Sequence, residues 1–134
     1  MREILFRGKR KDNDEWVEGN YGEYYGEYYG EYYNEEKKLS CISIPSKETI
    51  SGSWCYDVIP ETVGQYTGLC DKNGIKIFEG DILKGLYANG NAEVEMINGS
   101  WVGYAGKGWT DIGYVVDRVE VIGNIHDNPE LLTE

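Results

Sequence analysis

The chain has 134 residues, and its 24 acidic against 13 basic residues leave a net charge of −11. That length fits one domain or two small β units and buries roughly two-thirds of the unfolded surface, so no crosslink is needed for stability. The acidic surface repels polyanions and disfavours sequence-independent phosphate binding.

The charge is uneven. Through Lys11 the residues Arg2, Arg7, Lys9, Arg10 and Lys11 oppose only Glu3, giving +4, and the rest of the chain carries −15. This basic first segment is the one place where an anion could dock, although neutralising neighbouring carboxylates explains it more simply. Ile4–Lys9 reads as a short strand, Lys11-Asp12-Asn13-Asp14 as a turn, and Glu15-Trp16-Val17 as the start of a second strand, a hairpin.

The segment 21–36, YGEYYGEYYGEYYNEE, then repeats one four-residue phrase three times. Three glycines along one helix face would cost about 1 kcal/mol each. On a strand, four is twice the pleat period, so Tyr21, Glu23, Tyr25, Glu27, Tyr29, Glu31 and Tyr33 share one face. An extended arm over 18–36 is the expectation. A shift by four residues returns nearly the same side chains, so the ladder specifies its own register weakly. Its six glutamates from Glu18 to Glu36 discourage edge-to-edge aggregation. The arm is an expanded repeat tolerated as a hairpin, or an aromatic binding face suited to homotypic contact.

Leu39–Ile44 is the next strand, closed by Pro45. Residues 45–53 are loop, and Trp54–Ile59 is a strand ended by Pro60. Thr67–Cys70 and Ile75–Phe78 flank the tight turn Asp71-Lys72-Asn73-Gly74. Ile82–Tyr87 follows, and then two Asn-Gly turns, Asn89-Gly90 and Asn98-Gly99, each suited to a two-residue hairpin. Counting from them sets Leu83 opposite Met96 and Met96 opposite Trp101, a core row, with Lys84 meeting Glu95 on the other face. Gly103–Gly113 reads as loop, Tyr114–Val116 and Val119–Asn124 as strands, and Asn128–Leu132 as one capped helical turn. The fold class is all-β. It comprises an N-terminal β unit over 1–59 that includes the arm, and a C-terminal SH3-like barrel unit over 60–134.

Four stretches are distinctive together. They are Phe6–Lys9 with Trp16-Val17, Ile59–Leu69 (IPETVGQYTGL), Asp71–Gly74 with Phe78–Ile82, and Val121–Leu132 (VIGNIHDNPELL). The chain resembles the YopX family of phage and prophage proteins. That resemblance implies a β-rich chain with an SH3-like C-terminal part, made in bacterial cytoplasm from phage genes, and it lends no activity and no catalytic residue. The family offers no counterpart of the tyrosine ladder, and tends to lysine at Cys70 and tyrosine at His126. Neither position therefore serves a family-wide site.

Little in the sequence carries chemistry. Cys41, Cys55 and Cys70 form neither an even set nor a CxxC spacing, which points to a reducing cytosol rather than a disulfide framework. The N-terminus has no apolar run of a signal peptide, and no segment has the roughly 20 apolar residues that a membrane helix needs. The single histidine, His126, stands far in sequence from every cysteine, so zinc and cysteine-nucleophile designs lack partners. Gly80 in Glu79-Gly80-Asp81 reads as a turn more simply than as a spacer between paired carboxylates, and no phosphate-binding glycine motif appears. No cofactor, metal or catalytic residue is expected.

What remains is recognition. The candidate partner-binding residues are Trp109 and Tyr104, with Tyr66 and, on the arm, Tyr25 and Tyr29; Trp109, between Gly108 and Thr110, is the best anchor unless it plugs the barrel mouth. The expected function is non-enzymatic, namely binding of a phage or host protein, or self-association. The alternatives are an acidic decoy of a DNA-binding protein, and direct nucleic-acid binding by the barrel and the basic strand.

Overall fold

A computed structural model describes residues 4–29, 34–50, 52–88, 90–106 and 108–132, with backbone alone for 25–29 and 34–38. Two compact units divide the chain, one from Ile4 to Gly64 and one from Gln65 onward.

In the N-terminal unit β1 (Phe6–Lys9) turns through Lys11–Asn13 into β2 (Trp16–Tyr29), with Lys9 opposite Trp16 and Phe6 opposite Gly19. The turn holds because Arg10 N donates to Glu15 O at 2.9 Å and Asp14 adopts a positive φ of 60°. The described part of the tyrosine ladder is strand, as its period requires. β3 (Asn34–Pro45) pairs antiparallel with β2 from Asn20↔Ser43 to Tyr29↔Asn34. β4 (Ser53–Asp57) pairs in turn with β3, so these strands stand in the order β4-β3-β2-β1. Their ends meet where Arg10 bridges Val58. There Ile59 N donates to Lys9 O at 2.8 Å and Lys11 N to Asp57 O at 3.0 Å. Val58 is fully buried over Gly8, where an added Cβ would sit 3.0 Å from Val58 Cβ. A 3-10 turn at Pro60–Thr62 follows, and Thr62 Oγ1 accepts from Lys9 N at 2.9 Å.

The C-terminal unit begins with β5 (Gly64–Cys70) and β6 (Lys76–Phe78), joined by the expected turn in which Gly74 has φ 81°. Next come β7 (Asp81–Lys84), β8 (Ala92–Ile97), β9 (Ser100–Ala105), β10 (Gly108–Asp111), a 3-10 turn at Ile112–Tyr114 and β11 (Glu120–Asn124). The order β10-β9-β8-β7-β11 makes a four-strand meander, with the last strand returning beside the first. A final 3-10 turn at Pro129–Leu132 matches the expected helical turn. The core beneath the sheet gathers Ile77, Leu83, Leu86, Ala92, Val94, Trp101, Ile112, Val115 and Val119. Burying each of the larger aliphatic side chains contributes about 1.5–3 kcal/mol.

Several expectations need correction. Asn98-Gly99 forms the two-residue turn, with φ of 50° and 82° and Ile97 opposite Ser100, so Met96 does face Trp101. The other count fails, because Leu83 pairs with Ala92, not Met96. β7 stops at Lys84, and Gly85 turns away at φ 99°, where an added Cβ would sit 2.5 Å from Arg118 O. The β7–β8 connection is therefore longer than two residues. Lys84 lies opposite Glu120 rather than Glu95. Met96, at the far end of β8, is 45% exposed, so the expected row does not form: Leu83 and Trp101 both lie in the core but in different rows, and Met96 lies outside it. Gly103–Gly113 is not a loop, since β9 runs to Ala105 and β10 begins at Gly108. Tyr114–Val116 is 3-10 turn and its exit, not strand. The sheet does not close on itself as a barrel: β10 and β11 are its two edges.

Candidate functional site

Among the residues with described side chains, two exposed rings stand directly opposite one another on the meander of the C-terminal unit. β10 pairs with β9 so that Trp109 stands directly opposite Tyr104, and Ala105 opposite Gly108 with two residues between them. β9 pairs with β8 so that Tyr104 also stands opposite Glu93. Directly opposed residues share a face, so Glu93, Tyr104 and Trp109 form one row across three strands. Two residues along, Glu95, Val102 and Asp111 form the next row of that face. Val102 is buried, whereas Tyr104 is 39% and Trp109 52% exposed. The Tyr104 hydroxyl donates to Gly106 O at 2.7 Å, which fixes its ring toward the hairpin turn. Asp111 Oδ1 accepts from Gly113 N at 2.9 Å.

The row carries an electrostatic imbalance. Burial pushes the Glu93 carboxyl above the usual carboxylate range, and the charges of Glu95 and Glu79 push it the same way. Lys84 is on the same face, but its cross-strand partner is Glu120. Lys107, in the β9–β10 turn, lies outside the described residues.

The remaining candidates fall elsewhere. Tyr66 is interior, 8% exposed, with its ring 5.5 Å from Phe78. Tyr25 and Tyr29 are on β2, and their side chains lie outside what the structure describes. On the described part of the ladder, Tyr24 donates its hydroxyl to Asp57 at 2.5 Å, and this bond, ahead of burial, pushes its phenol up to about 12.

The N-terminal unit holds an open hollow of about 480 Å³ lined by Arg10, Lys11, Asp12 and Trp54–Asp57. Its charge is largely internal. Arg10 clamps Asp12 through two bonds of 3.0 and 2.6 Å and lies 4.5 Å from the centre of the Tyr56 ring. The guanidinium of Arg7 and the ammonium of Lys9 both lie over the Trp16 ring. No group of three or more histidine, cysteine or acidic side chains among the described residues could hold a metal ion. No helix of the described residues is long and apolar enough to cross a membrane.

The count from Asn98-Gly99 that sets Met96 against Trp101 also sets Glu93 against Tyr104, so this carboxylate was readable in the sequence. The Trp109–Tyr104 pairing was not, because Gly103–Gly113 hides its hairpin among four glycines.

Residues 5–133 match the family described as YopX protein. The chain belongs to the YopX family. A solved structure, the crystal structure of protein EF1440 from Enterococcus faecalis, is similar over 98% of this chain and 99% of its own, with 26% identity and a TM-score of 0.54. No curated protein matches. Glu93, Tyr104 and Trp109 lie within the span that the family match covers.

Proposed function

We propose that the protein is a non-enzymatic binding module encoded by phage or prophage genes, working in the bacterial cytoplasm and docking a partner protein on the Glu93–Tyr104–Trp109 face. The carrying observation is the exposed tryptophan on edge strand β10, held in register against an exposed tyrosine. Rings of this kind supply large contact area at low conformational cost and are enriched among residues that dominate binding energy. The scaffold suits the role. A meander of four strands, a 3-10 turn and a fifth strand returning beside the first support an SH3-like reading of this unit, although its sheet is not closed, and leave β10 as an edge on which a partner can dock. The nucleic-acid readings draw less support, because Arg7, Lys9 and Arg10 are already engaged by Trp16, Tyr56 and Asp12.

The test compares the full chain with Trp109→Ala and Tyr104→Ala, by affinity capture from phage-infected cells and by light scattering on a sizing column. The expected result is a discrete retained protein, or a defined oligomer, that Trp109→Ala weakens by about 2 kcal/mol, roughly 30-fold. The melting temperature should stay within a few degrees. A wild-type chain that is monomeric and captures nothing, or a capture indifferent to Trp109, would overturn the reading.

A further inference from the structure

We infer that the segment docked on this face is cationic, with an arginine or lysine head seated over Tyr104 between Trp109 and Glu93. This rests on the binding-module reading above and adds the chemistry of the partner.

Three observations converge. The row runs from Ile82, fully buried on β7, through Glu93 and Tyr104 to Trp109, so a carboxylate stands on one side of the phenol ring and an exposed indole on the other. Aromatic faces carry negative electrostatic potential and attract guanidinium and ammonium groups, tryptophan most strongly. The second row adds Glu95 and Asp111 to the same face. Finally, from Gln65 onward the sequence has five basic against eleven acidic residues, a net of −6, so the field around the face is negative.

The alternatives fit less well. A wholly apolar partner would bury Glu93 further without compensation, although burial and two neighbouring carboxylates already disfavour its charge. An anionic partner would meet Glu79, Glu93, Glu95 and Asp111 together. Only a cation gains from both the rings and the carboxylates. Arginine suits the site best, because its planar head can stack on the indole while donating to a carboxylate.

The experiment titrates ¹⁵N-labelled full-length protein with the peptide acetyl-Arg-Gly-Arg-amide and with its citrulline counterpart, which keeps shape and removes charge. The Trp109 indole N–H signal should move with the arginine peptide and respond at least about 5-fold more weakly to the citrulline one. Raising NaCl from about 50 to about 300 mM should weaken the arginine response. Glu93→Gln and Trp109→Ala should each weaken binding at least about 5-fold. Tyr114→Ala, which removes an 86% exposed ring from a different element, should leave binding unchanged. Equal binding of the two peptides, or no movement of the Trp109 signal, would overturn the cationic inference. In that case Trp109-dependent capture of a partner would still support the binding module, whereas capture indifferent to Trp109 removes the module reading itself.

Discussion

At the scale of a residue, Asp71 shows how one buried carboxylate fastens distant parts of the C-terminal unit. It is 6% exposed, and Oδ1 accepts from Asn73 N at 2.8 Å and Ile75 N at 2.9 Å, closing the β5–β6 turn. Oδ2 accepts from Val121 N at 2.9 Å and so ties that turn to β11. Burial raises its proton affinity, but the three backbone donors outweigh burial and hold the carboxyl below its usual range. A folded value below the unfolded one makes this contribution to stability fully present above the unfolded value of about 3.9, and lost as pH falls through the folded value. Asp71→Asn should therefore cost about 1–3 kcal/mol at pH 7. The cost should shrink on acidification below about pH 4, which chemical denaturation at several pH values would measure. A pH-independent cost would mean that the ionised form has no special role.

At the scale of elements, the repeat arm and the β7–β8 connection are instructive opposites. The ladder on β2 cannot choose its own register, but its partner β3 is not periodic. Ile42, fully buried, stands opposite Tyr21 on one side and Tyr56 on the other, so a slip of four residues would carry an apolar side chain out of the interior. Tyr24 and its bond to Asp57 mark the last ladder residue tied by its side chain to β4 among those described. Replacing residues 25–38 with Asn-Gly, directly joining the Tyr24↔Leu39 pair, should leave the N-terminal unit folded. Its melting temperature should fall by no more than about 5 °C, roughly 1 kcal/mol for a unit of this size. A loss of cooperative unfolding would show that the arm supplies core. In the β7–β8 connection a strong local signal was overruled: Asn89-Gly90 has the composition of a tight hairpin, and Asn89 lies outside the described residues, yet Gly85 leaves the strand early and Leu83 pairs with Ala92. Close approach to the Arg118 carbonyl is a tertiary constraint that no local spacing encodes.

At the scale of the whole molecule, charge is the dominant long-range term. With 24 acidic and 13 basic residues the folded chain repels itself, and salt screens that repulsion over about 10 Å at 0.1 M. Calorimetry between about 50 and 500 mM NaCl should show the melting temperature rise by a few degrees. A fall would mean that local ion pairs such as Lys72–Glu120, at 3.9 Å, outweigh the global field. By itself the sequence determined the all-β class, the hairpins at 11–14, 71–74 and 98–99, the strand character of the ladder and the family, because turn chemistry and pleat period act over a few residues. Through the 98–99 turn it also contained the Glu93–Tyr104 pairing. Only the tertiary structure decided that Met96 is wet and Tyr66 interior, that β10 exists, and that Trp109 lies beside Tyr104. Burial and edge position are set by which strands become neighbours, and that choice depends on contacts far apart along the chain.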